Sequence, residues 1–194
     1  RKYGPMTRWL VTGAAGMLGR DLTDLLQARG EEFTPMARTD LDITDPAAVA
    51  AAAATAEDVT LLVNNAGVAT YQNLVTGDID KIRLEMETHY FGTLNMVRAF
   101  APVLARNSGG SILNVMSLLS WLSYDGATAY SAAKAAEWSL TNGIRLELAG
   151  QGTTVTGLHL GSTDTDMMAG FDVEKNDPAD VVRTALDGLE AGEI

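Results

Sequence analysis

The chain has 194 residues, a length typical of one domain, and its 46% hydrophobic and 20% charged residues exclude a disordered chain. The 25 acidic residues outnumber the 14 basic ones and give a net charge of −11, which argues against binding to nucleic acid or to an anionic membrane. The absence of cysteine excludes disulfides, thiolate metal sites and a cysteine nucleophile.

The sequence predicts neither a membrane span nor a signal peptide. No apolar run is long enough to span a membrane, and the first residues lack the apolar core of a signal peptide, so we expect a cytoplasmic protein. Met6 is a plausible start. We therefore expect residues 1–5 to be a cloning remnant and residues 6–194 to form a single dinucleotide-binding domain.

Short apolar runs alternate along the chain with longer amphipathic ones. The pattern predicts six strands, at residues 8–12, 32–36, 41–44, 60–63, 111–116 and 153–160. It predicts helices between them, the first ending at residue 29 and the others at about 46–56, 80–106, 127–149 and 179–190. We therefore expect an α/β fold, a Rossmann-type doubly wound parallel sheet of about six strands with helices on both faces.

Local signals refine these elements. Gly30 ends the first helix, and Asp45 caps the second, with Pro46 at its first position. Pro35 weakens the second strand. Residues 37–40 are too few for the helix that a parallel crossover between the second and third strands requires, so we expect that crossover helix to be missing.

Three glycines, Gly13, Gly16 and Gly19, lie between the first strand and the first helix. Glycine at such a turn lets the backbone approach a pyrophosphate, and the helix N-terminus then offers free N–H groups to the phosphates. The spacing predicts a dinucleotide-binding loop, to which Ala15, Met17 and Leu18 also belong; a purely structural turn is the alternative.

The residues after the second strand bear on the choice of cofactor. An acid at this place favours NAD, because it binds the ribose hydroxyls. Arg38 is able to pair with the 2′-phosphate of NADP, although it also fits a solvated surface arginine, and Asp40 keeps NAD open. We favour NADP(H), with NAD(H) as the alternative, and include Asp42 and Ile43 among the cofactor residues.

Tyr130 and Lys134 form the most specific motif of the chain. Residues four apart share one face of a helix. A tyrosine has an ordinary pKa of about 10, and a nearby ammonium favours its phenolate form. The pair therefore predicts a general acid and base, the alternative being a half-buried tyrosine beside a lysine on the helix surface.

Ser117 follows the fifth predicted strand and precedes Tyr130 by 13 residues. That position is at the carboxyl edge of a parallel sheet, where such folds place their sites. Its hydroxyl is suited to holding a carbonyl or an alcohol. Ser120 and Ser123 are nearby alternatives.

The Asn64-Asn65-Ala66-Gly67 motif, Ser117, Tyr130 and Lys134 together resemble the short-chain dehydrogenase/reductase family over nearly the whole chain. The resemblance implies an oxidoreductase that interconverts a carbonyl and an alcohol by hydride transfer with NAD(P)(H). Tyr130 would donate the proton and Ser117 would orient the carbonyl. Lys134 would hold the nicotinamide ribose and favour the Tyr130 phenolate.

The resemblance also implies roles outside the catalytic set. Asn65 would stabilise the central strands, and the segment from Asn64 to Gly67, with Asn65, Ala66 and Gly67 as cofactor residues, would line the adenosine side. Thr165 would hold the nicotinamide carboxamide, within a segment that also supplies Gly161 and Thr163. His89 aligns with the family's helix asparagine, which links the lysine to a water relay; a histidine can relay protons or simply pack.

The partners follow from the same resemblance. Relatives pair through the helices at 80–106 and 127–149, which implies a homodimer or homotetramer acting on a small-molecule carbonyl or alcohol. We expect no nucleic-acid or membrane partner. We also expect no metal site, because the two histidines, His89 and His159, are 70 residues apart.

Two branches of the family meet in the chain. Residues 6–49 resemble the dTDP-4-dehydrorhamnose reductase branch, including TGAAGMLGRDL, whereas the chain from about residue 58 resembles the single-domain branch. This predicts a recombined or engineered chain with its join near 47–56. The chain also ends after its last helix, where a family member would add a strand.

The alternative function is a nucleotide-binding scaffold with little or no turnover. A third function, a nucleotide-sugar reductase, rests on the resemblance of residues 6–49 alone.

Overall fold

The computed structural model of the chain describes residues 7–193, so the predicted cloning remnant lies outside the described residues. One parallel sheet forms its centre, in the order β2-β1-β3-β4-β5. This confirms the α/β fold with a doubly wound parallel sheet. The strands are β1 (Arg8–Thr12), β2 (Glu32–Met36), β3 (Leu61–Asn64), β4 (Gly110–Ser117) and β5 (Thr153–Leu160).

Helices cover both faces of this sheet. They are α1 (Met17–Arg29), α2 (Pro46–Thr55), α3 (Ile79–Met86), α4 (Thr93–Arg106), α5 (Thr128–Leu148) and α6 (Pro178–Ala191). Because side chains alternate along a strand, Leu10 and Leu62 join the core under α2, α4 and α5, whereas Trp9 and Leu61 join the core under α1 and α6. No helix within residues 7–193 combines the length and the apolarity that a membrane crossing requires.

The predicted strand at 41–44 is wrong, because these residues form a turn. The Asp42 carboxylate accepts bonds from the backbone N–H and the hydroxyl of Thr44, and the Asp45 N–H donates to the Asp42 carbonyl at 3.1 Å. Such side-chain bonds compete with strand pairing. Leu41 and Ile43 alternate with polar residues because both are buried in the core under α2 and α4.

The crossover helix predicted to be missing is therefore present. The chain leaves β2, turns at 37–45 and returns through α2 to β3, on the other side of β1. The Asp45 carboxylate accepts from the N–H groups of Ala47 and Ala48, as the predicted cap requires. Pro35 is tolerated because β2 is the edge strand of the sheet.

The predicted long helix at 80–106 contains a π-helical turn, Glu87–Gly92, between α3 and α4. Such single turns inside α-helices are frequent at functional sites. His89 lies in the middle of this turn and is 1% exposed. The π turn therefore presents His89 to the interior of the protein beside α5.

Candidate active site

Two adjoining cavities lie at the carboxyl edge of the sheet. Parallel strands end at the same edge, which is where doubly wound folds bind ligands. The glycine-loop cavity, about 420 Å³, is bounded by the loop after β1 and the end of β3. The apolar cavity, about 340 Å³, is bounded by the segments after β4 and β5. Tyr130 lines both cavities, so this residue stands where their contents would meet.

The glycine positions of this loop have no room for side chains. Gly13 has a φ of 64°, and a Cβ built on it would lie 2.8 Å from the Ala66 Cα. A Cβ on Gly19 would lie 2.2 Å from the Gly13 carbonyl oxygen. Gly16 precedes α1 without a side-chain cap, so the first N–H groups of the helix remain available to an anion in the cavity. The loop thus fits a dinucleotide phosphate.

Most of the predicted cofactor residues line the glycine-loop cavity. They are Gly13, Ala15, Gly16, Met17, Leu18, Arg38, Asp42, Ile43, Asn65, Ala66, Gly67, Tyr130, Lys134 and Thr165, and His89 lines it as well. Three predicted residues lie elsewhere. Gly19 packs behind the loop against Gly13 and Ala14, whereas Gly161 and Thr163 line the apolar cavity.

Asn65 joins the ends of β1 and β3. Its side-chain amide donates to the carbonyls of Thr12, at 3.2 Å, and Gly13, at 3.1 Å. Its backbone N–H donates to the Thr12 hydroxyl at 3.1 Å. These contacts hold the glycine loop against the following strand, which agrees with the stabilising role that the resemblance implies.

Arg38 and Asp40, the two residues that left the choice of cofactor open, have different environments. Arg38 lines the glycine-loop cavity and is exposed. The Asp40 carboxylate accepts the Ala37 N–H at 2.9 Å and so closes the turn after β2. Asp42 lines the cavity, and the bonds from the hydroxyl and amide of Thr44 lower its pKa. Arg38 is thus better placed than Asp40 to contact a ligand here.

Lys134 is buried beside Tyr130, and its ammonium makes two hydrogen bonds. Its Nζ donates to the Val115 carbonyl at 2.9 Å and to Oε2 of Glu137 at 2.7 Å. It also lies 5.8 Å from the centre of the Tyr130 ring. Tyr130 and Lys134 are thus neighbouring side chains, and the buried carboxylate of Glu137 lies beside them.

The charge state of this buried pair is set by two opposed effects. Burial alone would lower the pKa of Lys134, but the neighbouring Glu137 and Tyr130 outweigh it, so the pKa is raised. Burial raises the pKa of Glu137, while the Lys134 ammonium and the Thr93 hydroxyl act against that rise. The 2.7 Å contact is that of an ammonium bound to a carboxylate.

His89 is a neutral imidazole in this environment. Burial lowers its pKa well below the ordinary value, and the nearby Lys134 ammonium lowers it further. Its Nε2 lies 2.7 Å from the Val68 carbonyl and 3.4 Å from the Val68 backbone nitrogen, and the much shorter contact with an acceptor assigns the ring proton to Nε2. Its Nδ1 lies 3.9 Å from Oε2 of Glu137 and has no hydrogen-bond partner among residues 7–193. The ring packs edge-on to Tyr130, with centres 5.2 Å apart.

Ser117 ends β4 and lines the apolar cavity together with Tyr130. Its Oγ accepts the Leu119 N–H at 3.1 Å, which leaves the hydroxyl proton free for another acceptor. Ser120 is buried and Ser123 is exposed, and neither lines either cavity. The structure therefore favours Ser117 over its two alternatives.

The wall of the apolar cavity is uncharged. The residues within 7–193 that line it include no Asp, Glu, Lys, Arg or His. Tyr71 and Phe171 pack with ring centres 5.9 Å apart, and the Tyr71 hydroxyl donates to the Met167 carbonyl. The aliphatic part of the wall consists of Ala69, Met116, Leu118, Leu119, Leu122, Ala127, Leu160, Met167, Met168 and Val173.

Sequence reasoning missed Glu137 and Tyr71. Glu137 was detectable, because it lies three residues after Lys134 on the same helix, a spacing at which opposite charges meet. Tyr71 carried no comparable signal. Tyr71 lies in the loop after β3, and it contacts Met167, which is 96 positions away in the chain.

Comparisons with known proteins agree with this geometry. Residues 23–176 match the short chain dehydrogenase family. A crystal structure of a short chain dehydrogenase from Burkholderia cenocepacia, in complex with NADP, is 38% identical, with a TM-score of 0.92 over 95% of this chain and 84% of that chain.

Two curated relatives match over 135 residues. An uncharacterized oxidoreductase of Staphylococcus saprophyticus is 32% identical, and the trans-4-hydroxycyclohexanecarboxylate dehydrogenase of Sinomonas cyclohexanicum is 34% identical. Each match covers 68% of this chain, and 58% and 52% of the relatives, so the chain spans little more than half of their length. With the family match over residues 23–176 and the shared fold, the chain belongs to the short-chain dehydrogenase family.

Proposed function

We propose that the chain is an NADP(H)-dependent oxidoreductase that interconverts an uncharged, apolar ketone or aldehyde with its alcohol. The observation that carries this proposal is the position of Tyr130 on the wall shared by the two cavities, with the Lys134 ammonium beside it. The NADP bound by the Burkholderia cenocepacia relative supports the choice of cofactor.

The residues of the chain fit this chemistry. The glycine loop and the start of α1 would hold the cofactor phosphates, and Lys134 would contact its ribose. When bound, the dihydronicotinamide supplies the hydride to the carbonyl carbon. The Tyr130 hydroxyl gives its proton to the carbonyl oxygen, toward which Ser117 donates its free hydroxyl hydrogen. In the direction of oxidation Tyr130 takes the proton from the alcohol, whose oxygen Ser117 still holds by a hydrogen bond.

The uncharged wall of the apolar cavity indicates the substrate class. A carboxylate or phosphate inside it would lose its hydration without meeting a cation, which is costly. An alkyl or alicyclic body would instead bury apolar surface against the leucines and methionines. We therefore expect ketones with an uncharged hydrocarbon body to be preferred.

Two matched ketones test this function. In assays of NADPH consumption we expect turnover of 4-methylcyclohexanone, with a kcat/KM at least about 100-fold above that of 4-oxocyclohexanecarboxylate, because only the latter buries a charge. The two differ at a single ring substituent, so size and ring shape are controlled. Equal use of both would contradict the substrate class, and no turnover of any uncharged ketone would contradict the function.

Arg38 is expected to decide between the two cofactors. Arg38→Ala should weaken NADPH binding by about tenfold, the typical effect of losing a charge-assisted hydrogen bond, and change NADH binding little. Titration calorimetry with each cofactor measures this difference. Asp40→Ala is the matched control, because its carboxylate closes the turn at Ala37 and should affect both cofactors alike. An Arg38 variant that loses both cofactors equally would refute the role.

A further inference from the structure

The active-site lysine has a buried carboxylate as its neighbour. Lys134 is 4% exposed and Glu137 is 1% exposed, and the two lie one turn apart on α5. Oε1 of Glu137 accepts a bond from the Thr93 hydroxyl at 3.3 Å, so the second oxygen remains for Lys134. This arrangement fixes the carboxylate from both sides.

The contacts of Nζ show what the carboxylate does. An ammonium has three N–H groups, and here one is directed to the Val115 carbonyl and one to Glu137. The third remains for the glycine-loop cavity, which Lys134 lines. An ammonium this buried would tend to lose its proton if no anion were near. Glu137 supplies that anion at 2.7 Å.

His89, His159 and Glu85, the titratable groups on the neighbouring elements, do not supply this charge. His89, on the π turn, is neutral, and its unprotonated Nδ1 faces Glu137 without competing for it as a donor. His159, on β5, has a pKa lowered by burial. Glu85, on α3, binds the amide and hydroxyl of Thr70. Tyr130, on α5, acts with Glu137 to raise the pKa of Lys134, but it lies beside the ammonium, whereas Glu137 binds Nζ directly.

We propose that Glu137 is a positioning residue for Lys134: its carboxylate, with the Val115 carbonyl, holds the ammonium at one place and in its charged form. The proposal rests on the proposed function, in which Lys134 serves the cofactor and Tyr130. It also accounts for the buried carboxylate, which would otherwise only cost stability.

The charge of Lys134 is directly measurable. The chain has only four lysines, Lys2, Lys81, Lys134 and Lys175, so the NMR signals of protein labelled with ¹³C at lysine Cε are few, and Lys134→Arg identifies the one from Lys134. In the wild type we expect Lys134 to titrate above the ordinary lysine pKa of 10.5. In Glu137→Gln we expect its midpoint to fall by at least about one pH unit, a tenfold loss in proton affinity.

Glu137→Gln keeps the size of the side chain and an oxygen for Lys134, so it removes the charge and little else. Glu85→Gln is the matched control, because it neutralises another fully buried carboxylate and should leave the Lys134 midpoint unchanged. A kinetic readout accompanies the titration: the alkaline limit of kcat for the ketone reduction should move to lower pH in Glu137→Gln but not in Glu85→Gln.

Two outcomes would overturn the proposal. One is a Lys134 midpoint that is equal in the wild type and in Glu137→Gln. The other, which needs no variant, is a wild-type midpoint below the ordinary lysine value of 10.5. Both measurements use the free protein, so an absence of ketone turnover would refute the proposed function and leave the titration result standing.

Discussion

Tyr130→Phe is expected to lower kcat for carbonyl reduction by about 10²–10⁴-fold, because it removes the group that gives a proton to the carbonyl oxygen. The phenyl ring that remains still packs against His89 and beside Lys134, so the fold and NADPH binding should change little. Steady-state NADPH oxidation measures the loss, and calorimetry with NADPH checks that binding survives.

The control for this variant is Tyr90→Phe. Tyr90 also lies on the helical segment beside the site, but its ring packs on Phe91 and lines neither cavity. It should therefore keep wild-type kcat. A Tyr130→Phe protein that turns over as fast as the wild type would refute the catalytic role. If the wild type and Tyr130→Phe both bound NADPH and neither turned over a ketone, the result would instead favour the nucleotide-binding scaffold.

The strands and helices that the sequence predicted well are those in which one local signal determines the backbone conformation. The strand at 153–160 and the edge strand at 32–36 are confirmed residue for residue, and Asp45 followed by Pro46 begins α2 as a cap and first position should. The strand predicted at 41–44 was wrong, because buried and polar residues alternate there in a turn as they would in a strand. In that case Leu41 and Ile43 pack under α2 and α4, and the Asp42 bonds to Thr44 decide the backbone.

The residues of the candidate site also fall into those that a local sequence signal predicts and those that it does not. Tyr130 and Lys134 were predictable because their spacing places them on one face of one helix. The contact of Lys134 with Val115, and that of Tyr71 with Met167, join segments distant in the chain, and no local pattern encodes them. The join near residues 47–56, the oligomeric state and the cytoplasmic location stay predictions.

Lys134→Met is expected to lower the free energy of unfolding by about 3–5 kcal/mol near neutral pH, because it leaves the buried Glu137 carboxylate without its cation. Urea unfolding measures this loss. The methionine keeps most of the volume of the lysine stem, so little of the effect comes from a cavity.

The pH dependence of Lys134→Met follows from the pKa of Glu137. Burial already raises this pKa, and without the ammonium to oppose it the rise is larger. A carboxyl whose folded-state pKa is raised contributes most stability below its ordinary pKa of 4.5, and that contribution is lost as pH rises through the folded pKa. The deficit of the variant relative to the wild type should therefore shrink as the pH is lowered.

The double variant Lys134→Met, Glu137→Leu separates the cost of an unpaired charge from the loss of packing. Replacing both members of a buried ion pair by apolar side chains of similar size is often neutral or stabilising, so we expect most of the lost stability to return. Neither variant should reduce the ketone, because both lack the ammonium beside Tyr130. A double variant less stable than Lys134→Met would show that Glu137 stabilises the fold on its own and would contradict its pairing with Lys134.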